Sequence, residues 1–233
     1  MQTIQENLVK IKTTIAAAEN KHDRPLGSVV LVVVSKAQTL EKIKTAIAHG
    51  QIHFGESYLQ EALVKIKEIT NPNIIWHFIG RIQSKKAKLI AQNFSWVDSV
   101  ASYEVAELLN KYRPDDLPQL NVCIQVNISN EANKSGILPE EILSLAKKIA
   151  QLPKLKLRGL MAIPACQKEF DLQLKAFNEL FLEFKNLQKY VVNVDTLNMG
   201  MSEDLEAAIA AGATVVRIGT AIFGSRSTCS HRL

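Results

Sequence analysis

Cysteine, aromatic residues and long apolar runs are all scarce in this chain, and each scarcity removes a class of protein. Its three cysteines, Cys123, Cys166 and Cys229, are widely separated and odd in number. They form neither a disulfide framework nor a closely spaced metal-binding pair. The histidines make no HExxH or HxH array, so no structural metal is expected. Aromatics amount to 6 % and do not interleave with arginine, which argues against a nucleic-acid surface despite a net charge of +5. The densest basic cluster, Lys85, Lys86 and Lys88, reads as a solvated helix face, with an anionic partner as the alternative.

No apolar stretch approaches the length that spans a bilayer. The opening MQTIQENLVKIKTT holds no apolar core of the kind a signal peptide needs. A cytoplasmic protein with neither membrane nor nucleic acid among its partners is expected. No linker, repeat or low-complexity segment divides the chain, so residues 1–233 are read as one domain.

What the chain does have is a 47 % hydrophobic content against 22 % charged residues, enough for a substantial core. Its centre of organisation is VVLVVVSK, Val29 to Lys36. A short valine-rich run of this kind is a parallel strand covered on both faces. Reacting groups in α/β proteins collect where such strands end. Lys36 therefore stands where a buried strand opens. It is either the first solvated residue of a loop or an amine that desolvation shifts toward the neutral, nucleophilic form.

The rest of the chain repeats the same unit. An amphipathic helix over about Thr3 to Asn20 precedes the first strand, and Thr39 caps the helix that follows it. Strands are then expected at 52–54, in IIWHFIG, in SWVDSV, over Leu120 to Ile128, in LRGLMAI, in TLNMGM and in TVVRIG. Helices separate them; one is capped by Ser102, one opens at Pro139, and an alanine-rich one is capped by Ser202. Eight strands with a helix between each pair, and no GxGxxG after the first, predict an α/β fold. The expected form is a single (β/α)8 TIM barrel with an extra N-terminal helix.

Phosphate groups in such barrels often sit on the loops after the seventh and eighth strands. Here Met199-Gly200-Met201-Ser202 supplies a glycine and a hydroxyl at a helix start, and Gly219-Thr220 supplies bare amides and a second hydroxyl. Each is also explained as an ordinary cap or turn; two together at one barrel mouth favour an anion site. Arg217 shares a strand face with Val215 and Gly219. It either looks into the barrel mouth or turns outward to a helix carboxylate such as Glu203 or Glu206. An amine, a phosphate cradle and an arginine suit a phosphorylated aldehyde, and pyridoxal 5′-phosphate (PLP) fits. Arginine does not give up its proton, so a ring nitrogen facing it would stay unprotonated and carbanion chemistry would be weak.

The segments VVSK, HFGESYLQEA, WHFIGRIQSKK, VNISNEANKSGI, LRGLMAIP and LNMGMSEDLEAAIAAGATVVRIGTAIFGSR, in this order, resemble the pyridoxal phosphate homeostasis protein family. The resemblance implies a fold type III PLP barrel related to the N-terminal domain of alanine racemase. It further implies a Schiff base at Lys36, cofactor contacts at Ser57, Gly200, Ser202, Gly219 and Thr220, and Arg217 at the pyridine nitrogen. The implied function is non-catalytic: PLP, with related B6 vitamers, is held, buffered and handed to PLP-dependent apo-enzymes. Three positions depart from the family pattern, namely Ser57 and Lys85, where asparagine is usual, and Ala37-Gln38 after the lysine.

The competing expectation is a PLP-dependent amino-acid racemase or lyase, with His77, Cys166 or Tyr58 as its second acid–base group. That chemistry in racemases uses a tyrosine from an added C-terminal domain, and the chain ends in SRSTCSHRL shortly after the eighth strand. The carrier is preferred, as a monomer.

Overall fold

The computed structural model describes residues 3–129, 131 and 134–224; Cys229 and the tail SRSTCSHRL lie outside them. Helix α1 (Ile4–Lys21) opens with a capping box, in which the Thr3 hydroxyl accepts from the Glu6 amide and the Glu6 carboxylate accepts from that of Thr3. Its stripe of Leu8, Ile11 and Ile15 is buried.

Eight strands follow: β1 (Val30–Val34), β2 (His53–Glu56), β3 (Ile75–Phe78), β4 (Trp96–Val100), β5 (Leu120–Val126), β6 (Leu155–Ala162), β7 (Thr196–Asn198) and β8 (Val215–Ile218). They pair in parallel in chain order and close where β1 meets β8, with Val32 beside Arg217. The helices between them are α2 (Leu40–Ala48), α3 (Leu59–Glu68), α4 (Ala87–Asn93), α5 (Tyr103–Tyr112), α6 (Ile142–Ile149), α7 (Phe170–Leu187) and α8 (Leu205–Ala210), and α9 (Thr220–Phe223) follows β8. The predicted barrel is present, with α1 packed against α2, α8 and α9.

The main core lies between strands and helices, where Phe54, Phe78, Phe94, Ile90 and Leu109 are fully buried. Successive strand residues face opposite ways, so each strand feeds this outer layer and the barrel interior in turn. At Gly159 close approach requires a glycine. The β5–β6 register shifts between Val122 and Cys123, and a Cβ on Gly159 would lie 1.7 Å from the Thr196 carbonyl oxygen.

Local chemistry corrects three expectations. Lys36 does not end a strand: β1 stops at Val34, and Lys36 occupies the turn beyond it. The helices expected from Ser84 and Pro139 each begin with a 3-10 turn, Ser84–Lys86 and Pro139–Glu141. Ser202 caps nothing. The Asp204 carboxylate turns back to accept the Met201 amide at 2.6 Å, which closes a turn over 201–204 and delays α8 to Leu205.

Candidate functional site

At the carboxyl ends of the strands lies a cavity of about 770 Å³. Lys36, Ser57, Ser202, Arg217, Gly219 and Thr220 all border it. They come from the loops after β1, β2, β7 and β8 and from β8 itself, so the barrel joins residues that are far apart in sequence. Gly200 is not on the wall. It supports the wall instead: at a φ of +96° its carbonyl accepts the Arg217 amide at 3.0 Å.

The turn that carries Lys36 is held from behind by charges absent from the sequence-derived site. Ala37 takes a φ of +58°, unusual for a residue with a Cβ. Its amide donates to the Glu61 carboxylate at 2.6 Å. The carbonyl of Ser35 accepts from Lys65 Nζ at 2.7 Å. That ammonium also donates to Glu56 Oε1 at 2.7 Å and to Glu61. The Ser35 hydroxyl completes the cluster with a 2.6 Å bond to Glu56 Oε1. Both residues flanking Lys36 are thus anchored, which fixes the direction in which its side chain leaves the backbone. Burial pushes the Glu56 carboxyl above its ordinary range, and Lys65 and Ser35 pull it back.

These residues leave a signal in the sequence. Lys65 falls on the stripe of Ala62 and Ile69, where the spacing calls for an apolar side chain. Only 4 % of it is exposed. A lysine on an apolar helix face needs a carboxylate partner, and Glu56 supplies it from the end of β2.

Arg217 points inward and is 4 % exposed; the outward pairing with Glu203 or Glu206 is not formed. Its Nη1 donates to the Asn198 carbonyl at 2.9 Å and to the Asn198 side-chain oxygen, and its Nη2 to the Ala162 carbonyl at 3.0 Å. A guanidinium has five N–H donors in a rigid fork. With three placed on fixed carbonyls, its plane is set where it borders the cavity. Burial lowers its pKa from the usual value, against the opposing pull of Asp98 and Asp204.

The candidate acid–base groups separate. Cys166 lines the cavity and is exposed. Tyr58 lies outside it, exposed at the start of α3. His77 is in no loop: it is buried in β3, between His53 and Asp98, inside the barrel. The strand expected in IIWHFIG is β3, and His77 lies within it, away from the cavity wall. Lys85 and Lys88 are exposed on the surface and do not border the cavity. Among the described residues no cluster of three metal-ligating side chains occurs, and no helix is long and apolar enough to cross a membrane.

A closed parallel barrel with an amine, three hydroxyls and a seated arginine at its mouth defines a class. Residues 2–227 match the family model for the alanine racemase N-terminal domain. Within that class the chain is 45 % identical over 229 residues to the pyridoxal phosphate homeostasis protein of Escherichia coli K12, covering 97 % of this chain and 98 % of that one. It is 48 % identical to the protein of the same name from Pseudomonas aeruginosa PAO1, covering 97 % of each. The chain belongs to the pyridoxal phosphate homeostasis protein family. Among solved structures it resembles PipY of Synechococcus elongatus PCC7942 with PLP bound, with a TM-score of 0.82 and 32 % identity over 95 % of this chain and all of that one.

Proposed function

We propose that this protein binds PLP at the barrel mouth, holds it as a Schiff base on Lys36 and buffers or delivers it without catalytic turnover. The observation that carries the reading is the convergence of Lys36, Ser202, Gly219, Thr220 and Arg217 on one cavity. Its volume of about 770 Å³ falls within the range of small-molecule sites, roughly 300–1,000 Å³. A solved relative that contains PLP supports it.

The chemistry of the residues fits the group. In the linkage proposed, the Lys36 amine would hold the aldehyde carbon of PLP, the aldehyde oxygen being lost as water. The hydroxyls of Ser202 and Thr220, with the first amides of α9, would hold the phosphate; a helix start leaves such amides unsatisfied by the helix itself. Gly219 lets this end of β8 lie close to β1, since a Cβ there would already be 3.2 Å from the Val34 carbonyl oxygen. Arg217 would donate toward the ring nitrogen and keep it unprotonated. Ser57 offers a further hydroxyl from the cavity wall, and Gly200 holds Arg217 from behind. When bound, PLP supplies a reactive aldehyde and an electron-poor ring.

The racemase or lyase reading needs a second acid–base group near the ligand. Of the three candidates only Cys166 borders the cavity, which favours the carrier. As a carrier the protein has PLP-dependent apo-enzymes as recipients and other B6 vitamers as further ligands. A monomeric, single-domain protein working in the cytoplasm completes the proposal.

The test compares absorption spectra of PLP-loaded wild type and Lys36→Ala, followed by borohydride reduction and peptide mapping. A band near the visible edge that disappears in the variant, with a reduced pyridoxyl group on Lys36, is expected. An unmodified Lys36 in loaded wild type refutes the linkage. Steady formation of D-amino acid or keto acid from a single L-amino acid refutes the carrier.

A further inference from the structure

Two walls of the cavity leave neighbouring strands. The turn with Lys36 follows β1, and Gly219 and Thr220 follow β8. The two strands pair directly, and their register ends with Val33 beside Ile218. Past that point the sheet no longer sets how far the two segments stand apart. Neither segment is stiff by itself. The turn closes with the Gln38 amide donating to the Ser35 carbonyl at 3.1 Å, and it carries the positive φ of Ala37. The helix α9 is a single turn of four residues, too short to persist in water unaided.

The last carbonyls of α9 are held from outside. Asn7 Nδ2 of α1 donates to the Ile222 carbonyl at 2.9 Å, and Lys42 Nζ of α2 donates to the Phe223 carbonyl at 3.2 Å. The same ammonium donates to Gln38 Oε1 at 3.1 Å, and Gln38 lines the cavity. Lys42 is half-buried in the first turn of α2, where the Thr39 hydroxyl accepts its amide. It lies one helical turn after Gln38, so its side chain reaches back over the turn with Lys36. An ammonium has three donors and no acceptor, which suits it to draw two oxygens to one point. Here it joins the loop that carries the amine to the segment that carries Thr220, although Lys42 and Phe223 are 181 positions apart in sequence.

We propose that Lys42 is a positioning residue that sets the spacing between the amine end and the phosphate end of the site. It acts through Gln38 on one side and the Phe223 carbonyl on the other. The proposal rests on the PLP reading above. PLP carries its aldehyde and its phosphate on one rigid ring, so both ends are engaged together only when the two walls stand at one separation. A separation fixed in advance spares the complex the cost of ordering it. A ligand that lacks the phosphate engages one wall fewer and gains nothing from the tie.

The test measures dissociation constants of PLP and of pyridoxal for wild type, Lys42→Met, Gln38→Leu and the double variant, by absorption titration. Borohydride trapping on Lys36 is followed in parallel. The ratio of the pyridoxal constant to the PLP constant reports what the phosphate adds to binding. Lys42→Met and Gln38→Leu are each expected to lower that ratio by roughly three- to tenfold, the worth of one hydrogen bond. Both changes break the same contact, so the double variant is expected to fall no further than Lys42→Met alone. Should Lys42→Met fail to fold, Gln38→Leu at the cavity rim decides alone. A ratio within about twofold of wild type in a folded single variant, or losses that add in the double variant, overturns the inference and leaves the PLP reading intact. No trapping on Lys36 in wild type overturns both.

Discussion

Replacing Lys65 by methionine removes an ammonium while keeping an unbranched apolar stem, so the change isolates the charge. The residue is 4 % exposed and donates to Ser35, Glu56 and Glu61. Its main partner, Glu56, is 0 % exposed and its second oxygen already lacks a partner among the described residues. Removing one member of a buried pair strands the other, which costs about 3–5 kcal/mol. At 2–4 °C per kcal/mol for a chain of this size, the melting temperature drops by roughly 6–20 °C.

The loss has a pH signature. Burial raises the Glu56 carboxyl above its ordinary value of 4.5, and Lys65 opposes that rise. Without Lys65 the folded-state value climbs further. A group whose folded pKa is raised contributes stability fully below its unfolded pKa and loses it as pH rises through the folded one. The Lys65→Met penalty is therefore smaller near pH 5 than near pH 8. Urea denaturation at both pH values measures it, and the double variant Lys65→Met/Glu56→Gln recovers most of the loss because the fully buried carboxylate is gone, while Glu61 is partly exposed and keeps the Ala37 amide. A penalty below about 1 kcal/mol at the higher pH, or one that neither varies with pH nor recovers in the double variant, refutes the reasoning.

His53 gives the opposite sign: its folded pKa is depressed to about 4 from 6.5. Its contribution is present above the unfolded value and disappears as pH falls through that window, by on the order of 1–3 kcal/mol. His53→Gln, compared with wild type by acid-side denaturation curves, should lack that part of the decline. Gly159→Ala drives a Cβ to within 1.7 Å of the Thr196 carbonyl oxygen; separation of β6 from β7 should cost more than about 4 kcal/mol, seen as loss of the cooperative melting transition. Ser202→Ala with Thr220→Val should weaken PLP binding by at least tenfold, since a hydrogen bond to a charged group is worth about 1.5–3 kcal/mol. Pyridoxal, which lacks the phosphate, should bind both proteins equally; calorimetric titration of the two ligands checks this.

Much of the cavity wall was legible because its signals are local. Lys36 follows a run of valines, and Gly219-Thr220 follows another apolar strand. Ser202 was placed correctly on the wall for a mistaken reason. Its identity as a cap fails because Asp204, two residues on, accepts the Met201 amide and moves the helix start. His77 falls in its expected strand, yet it turns to His53 and Asp98 inside the barrel and not to the cavity, which strand membership does not reveal.

The sequence by itself determined the βα alternation, the number of strands, the capping of α2 and α5, and the residue types at the barrel mouth. Periodicity, caps and turns act over a few residues and can be read from neighbours along the chain. Only the tertiary structure decided that Arg217 looks inward, that Lys65 anchors the turn beneath Lys36, and that His53, His77 and Asp98 form one line. Each depends on which buried charges lie within hydrogen-bonding reach across the barrel, and closure of the sheet sets those distances rather than separation in sequence.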